Sequence, residues 1–171
     1  MKTLTQYIDE AFRINKDTKV NKHVYYPKTT WELKNLVKKL LDERGKDANL
    51  NDIDVSEITD MSDLFRYMSD IHNIDISEWN VSNVTDMGSM FFNCINFNCD
   101  ISNWDVSNVK DMNSMFLGCK EFDSDLSKWD VSNVKYMGGI FYGCKNFNSD
   151  LSKVKYKSKL LSKVSLHFAK S

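Results

Sequence analysis

Residues 104–119 read WDVSNVKDMNSMFLGC and residues 129–144 read WDVSNVKYMGGIFYGC, one phrase written twice with a shift of 25 positions. Working outward, the phrase recurs in weaker form as IDVSEITDMSDLFRYM from Ile53 and WNVSNVTDMGSMFFNC from Trp79. Met61, Met87, Met112 and Met137 mark the register, with Phe65, Phe91, Phe116 and Phe141 following in step. The linking segments HNIDISEW, FNCDISNW, FDSDLSKW and FNSDLSKV repeat as well. Self-similarity at such a period marks a repeat architecture, in which one unit cannot bury its apolar face alone and its neighbours cover it.

Within one unit, Met112, Met115, Phe116 and Cys119 stand at i, i+3, i+4 and i+7, the stripe of a short helix. Thr85 suits the N-cap of the equivalent stretch one unit earlier, and Gly118 and Gly143 suit helix ends. The other half, SDLSKWDVS, alternates apolar and polar residues like a short strand running into an Asx or Ser turn. One strand and one short helix per 25 residues falls in the range of leucine-rich repeats. The fold expected on this basis is α/β: a leucine-rich-repeat-like solenoid of about four 25-residue coils with short strands and short helices. Stacking would align the strands in a parallel sheet about 4.8 Å apart.

Such a stack needs covers at its ends. Before it, Thr29 and Glu32 form a capping box, and Trp31, Leu33, Leu36, Val37, Leu40 and Leu41 follow at helical spacing up to Gly45. After it, Leu160, Leu161, Val164 and Phe168 share one face. The expected division is a helical, targeting-like segment and linker at 1–28, a capping helix at 29–52, the repeats at 53–154 and a basic cap at 155–171.

Composition excludes more than it assigns. The chain has 171 residues, 42% hydrophobic and 27% charged, with a formal net charge of -1, so nothing draws it as a whole to nucleic acid or anionic lipid. No apolar run approaches a membrane span, and the start of the chain lacks the apolar stretch of a secretory signal. The C-terminal lysines, Lys153, Lys155, Lys157, Lys159, Lys163 and Lys170, would give nucleic acid at most a weak contact. Only six glycines and one proline are present, so Asn, Asp and Ser must make the turns.

Each recurring polar column has a structural reading beside a chemical one. Cys94, Cys119 and Cys144 share a position that Met68 takes in the first unit, which points to packing and not to thiolate chemistry. Asp75, Asp100, Asp125 and Asp150 form one acidic column, and Asp105 and Asp130 another in which Asn80 takes part. A neutral Asn can cap a turn but cannot bind calcium by charge, so capping is expected and no cofactor or metal. Trp79, Trp104 and Trp129 read as buried packing, since Val154 takes the last place in their column. His23, His72 and His167 lie in unrelated contexts, so no catalytic residue can be nominated.

The text of residues 53–154 resembles the BspA-like leucine-rich-repeat family of unknown function, described from mycoplasma lipoproteins and met in gut bacteria and their phages. That resemblance implies a solenoid used for binding, usually at a cell surface. The first residues, MKTLTQYIDEA, are similar to the capsid-targeting peptide of T-even-type phage internal proteins, which implies cleavage between Glu10 and Ala11. The resulting expectation is a monomeric, non-catalytic module that binds a protein partner. It would be encoded by a phage or prophage, cytoplasmic or packaged in the virion, with an adhesin-like surface protein binding host protein or glycan as the alternative. Asn103, Lys128, Lys110 and Lys135, which vary between units, are its expected binding surface.

Overall fold

The computed structural model describes residues 23–151. Among them there is one α-helix, Thr30–Arg44, and strand pairing is confined to isolated parallel bridges. Those bridges join Tyr25 to Ile53, Asn49 to Asp75, and Asp60, Asp86, Asp111 and Tyr136 in succession. The expected α/β solenoid of four coils with short strands and short helices is therefore overturned. No repeat contains a helix, and no sheet forms among the described residues.

The repeats fold as runs of β-turns. In the Trp104 repeat the amide of Trp104 donates to the carbonyl of Ile101, Val109 to Val106, Met115 to Met112, Cys119 to Phe116 and Phe122 to Cys119. Each bond closes a four-residue turn whose first and last side chains are both buried. Successive turns of this kind put apolar residues at i, i+3 and i+4, the same spacing that a helix produces. Backbone handedness separates the two. Ser114 (φ 54) and Gly118 (φ 79) occupy the left-handed region at the third place of their turns, where a right-handed helix cannot pass. Asp63, Ser89 and Gly139 repeat the first position, and Tyr67, Asn93 and Gly143 the second.

Asx turns defeat the expected strands in the same way. Asp100 Oδ1 accepts the amide of Ser102 at 2.9 Å and Asp105 Oδ1 that of Ser107 at 3.0 Å, bending the chain before it can extend. Asp75, Asp125 and Asp130 do the same for Ser77, Ser127 and Ser132, and Asn80 does it for Ser82.

Stacking satisfies the remaining backbone groups. The amides of Met112, Ser114, Phe116 and Gly118 donate to the carbonyls of Tyr136, Gly138, Ile140 and Tyr142 at 2.8, 2.9, 3.0 and 2.7 Å, while amides between them close turns. Matching side chains meet one repeat apart. Phe65, Phe91, Phe116 and Phe141 stack with centroids 5.2, 5.6 and 5.8 Å apart, and Phe97, Phe122 and Phe147 form a second column at 5.9 and 5.8 Å. Each buried ring contributes about 1.5–3 kcal/mol, realised only when the next repeat covers it.

The polar atoms of the core bond in columns too. Trp79, Trp104 and Trp129 donate Nε1 to the carbonyls of Leu50, Ile76 and Ile101. Cys94, Cys119 and Cys144 reach those of Phe65, Phe91 and Phe116, each at 2.9 Å. Among the described residues no buried side-chain nitrogen or oxygen lacks a partner.

The helix packs at the N-terminal end of the described core. Thr29 caps it by accepting the amide of Glu32 at 3.2 Å, and Glu32 reaches back to the amide of Lys28 at 2.6 Å, one residue before the one a capping box engages. Leu33, Leu36, Val37, Leu40 and Leu41 are buried, whereas Trp31, expected on the same face, is 59% exposed. Thr30 Oγ1 donates to the carbonyl of Asp60 and ties the helix to the first repeat. Residues 1–22 of the segment expected at 1–28, and the whole cap expected at 155–171 with the face of Leu160, Leu161, Val164 and Phe168, lie outside the described residues.

Candidate functional site: a groove between two tyrosines

The second left-handed position of each repeat is Tyr67, then Asn93, Gly118 and Gly143. Stacking brings these residues side by side, so the loss of side chains along the series opens a groove of about 490 Å³ floored by turn backbone. Tyr67 and Tyr142 line it from the first and last of these repeats, Ile95 and Leu117 supply aliphatic surface, and Lys120 and Lys145 line it from successive repeats.

Tyr67 is the least expected of these. Its φ of 63 is strained for a bulky side chain, and its counterparts in the column are Asn, Gly and Gly. The residue stays 60% exposed, its ring packed edge-on against Phe92 at 5.3 Å with the Arg66 guanidinium 5.1 Å from its centroid. Arg66 is fixed in turn by Asp63, 2.9 Å away. Tyr142 is 59% exposed at the other end. Beneath them the floor is tight: a Cβ on Gly118 would fall 2.1 Å from Oδ1 of Asn93. Lys120 and Lys145 are exposed and enter no ion pair among the described residues. The neighbouring carboxylate, Glu121, instead accepts from Asn146 Nδ2 at 2.6 Å.

The residues nominated from sequence lie elsewhere. Asn103, Lys128, Lys110 and Lys135 are all exposed but do not line the groove. Lys128 Nζ donates to Asn103 Oδ1 at 3.0 Å, and Lys135 and Lys110 are neighbours through a backbone bond of 2.7 Å. Glu10, Ala11, His167 and the C-terminal lysines from Lys153 onward lie outside the described residues.

The acidic columns act in turns. Burial raises the pKa of Asp75, but hydrogen bonds from Ser77 and Asn51 outweigh it and hold the carboxyl below its ordinary range; Asp100 is lowered by the backbone and side chain of Ser102. Among the described residues no group of three His, Cys, Asp or Glu side chains is placed to hold a metal. His23 lies 3.8 Å from Asp54 and His72 lies 4.0 Å from Asp47. Burial pushes the thiols of Cys94 and Cys144 up to about 12, the wrong direction for a nucleophile.

Tyr67, Tyr142, Lys120 and Lys145 do not stand out in the sequence, because Gly118 and Gly143 suit helix ends as well as they suit a groove floor. The available signal was the series Tyr, Asn, Gly, Gly immediately before Met68, Cys94, Cys119 and Cys144. Residues 31–154 match the family described as "Mycoplasma protein of unknown function, DUF285". No curated protein and no solved structure matches the chain.

Proposed function

The chain belongs to this mycoplasma family of unknown function, and from that premise we propose that it is a non-catalytic protein-interaction module whose contact surface is the groove. The observation that carries the reading is Tyr67, a large ring held in a strained backbone conformation and left 60% exposed beside a glycine-floored groove. Strain and exposure both disfavour tyrosine here on folding grounds, and exposed aromatic anchors beside a rigid backbone are what protein contacts use. The likeness of residues 53–154 to BspA-like repeats, a class used for binding, supports the same role.

Selection of displayed random octapeptides against the folded chain tests it. The expected result is a reproducible set of binders that Tyr67→Ala and Tyr142→Ala each weaken while leaving the melting temperature near that of the parent. Absence of any enriched peptide sinks the reading. Virion packaging, with removal of the segment ending at Glu10, belongs to the same proposal. The intact mass of the chain recovered from phage-infected cells tests it, a chain still carrying Met1 to Glu10 in purified virions being the contrary result.

A further inference from the structure

We infer that the groove takes an extended peptide carrying an acidic side chain beside an aliphatic one, laid along the stacking direction; this rests on the protein-interaction reading above. The direction follows from the lining. Tyr67, Asn93, Gly118 and Gly143 come from successive repeats, so the floor runs across repeats and not along the chain. Its length follows from the steps between repeats, 5.2, 5.6 and 5.8 Å in the phenylalanine column. Three such steps accommodate about five extended residues at ~3.3 Å each. At Gly118 and Gly143 no side chain stands between a ligand backbone and the floor.

Charge selects the ligand. Lys120 and Lys145 occupy equivalent places in adjacent repeats, both exposed and without an ion pair among the described residues, while Glu121 is turned to Asn146. Two like charges one step apart repel, and a carboxylate between them removes that repulsion. Ile95 and Leu117 add aliphatic surface between the tyrosines. A glycan would prefer aromatic faces side by side, but Tyr67 and Tyr142 are separated by two intervening repeats and stand in different columns, and the aromatic ring beside Tyr67, Phe92, meets it edge-on.

The test is octapeptide selection on the full chain, run in parallel on the parent and on Lys120→Glu/Lys145→Glu. The parent is expected to enrich Asp or Glu next to Leu, Ile or Val. A synthetic peptide from that set should bind the reversed variant about tenfold more weakly, and the variant's own selection should turn to Lys and Arg. Lys120→Gln/Lys145→Gln, melting like the parent, should fall between the two. Enriched peptides that are neutral, or acidic ones held equally by parent and variants, overturn the acidic assignment and leave the interaction reading standing. No enriched peptide, or binding only of a heparin oligosaccharide used as a glycan probe, overturns both.

Discussion

Asn113 Oδ1 accepts the amide of Gly138 at 2.7 Å, one repeat away. In the preceding repeats that amide position is served from within, by Asp60 for Ser62, Asp86 for Gly88 and Asp111 for Asn113. Tyr136 takes the place of the aspartate in the last repeat, and Asn113 reaches across to do its work. Asn113→Ala should therefore cost about 0.5 kcal/mol, the low end of the range for a hydrogen bond, because this one is exposed. Adding Tyr136→Asp should recover part of the loss by restoring the local acceptor. Urea unfolding of the two single variants and the double variant checks this, and simple additivity would show that the two acceptors do not substitute for each other.

Asp86 supplies a pH prediction with an unusual sign. Its pKa is raised from 3.8, first by burial and then by the charges of Asp111, Asp60 and Asp63, with the Gly88 amide opposing. A carboxyl whose pKa is higher folded than unfolded favours the fold below its unfolded value, and that contribution is lost as pH rises through the folded value. Asp86→Asn keeps the acceptor for Gly88, as Asn80 keeps one for Ser82. It should stabilise the chain at pH 7 by less than about 1 kcal/mol, because the group is only partly buried, and by nothing at pH 3.

Asp100 runs the other way. Its pKa lies below 3.8 because of Ser102, so its stabilising contribution is present above the unfolded value and lost as pH falls through the folded one. Asp100→Asn should lower the melting temperature slightly at pH 7 and leave it unchanged near pH 2. Opposite signs for Asp86→Asn and Asp100→Asn at pH 7 are the measurement to make.

Phe116 touches more of the aromatic core than a terminal ring can. It stacks on Phe91 at 5.6 Å, Phe141 at 5.8 Å and Phe122 at 4.1 Å, with Trp129 at 6.3 Å. Phe116→Ala should cost about 3–5 kcal/mol. Phe141→Ala should cost less, because among the described residues no later repeat covers that ring. Chemical denaturation of both variants compares them directly.

The thiols should behave as core atoms. Burial pushes Cys94 and Cys144 up to about 12 and Cys99 up to about 11, and Cys119, between Cys94 and Cys144, is raised further. Iodoacetamide at pH 8 should leave the native chain unmodified over a time in which the urea-unfolded chain takes four labels. Cys99, the most exposed at 6%, should be the first to react in the native state. Rapid labelling of Cys119 in the native chain would contradict its place in the core.

The period, the identity of the core columns and the capping role of the polar ones can be read from the letters alone. Met112 and Phe116 are fully buried, the three tryptophans pack inward, and Asn80 caps a turn as the aspartates in its column do. Those features follow from residue type repeated at fixed spacing, which is written in the letters. The helix Thr30–Arg44 was legible from its cap and apolar spacing, but the secondary structure of the repeats was not, because consecutive four-residue turns and a helix place apolar side chains at the same i, i+3 and i+4 positions. Only the tertiary structure decided between them: the amides of Ser114 and Gly118 bond to the next repeat, an alternative that exists only once that repeat is stacked in place. The groove belongs to the same category. Tyr67 and Tyr142 lie far apart in the chain and frame one groove only because stacking sets the turns of successive repeats side by side.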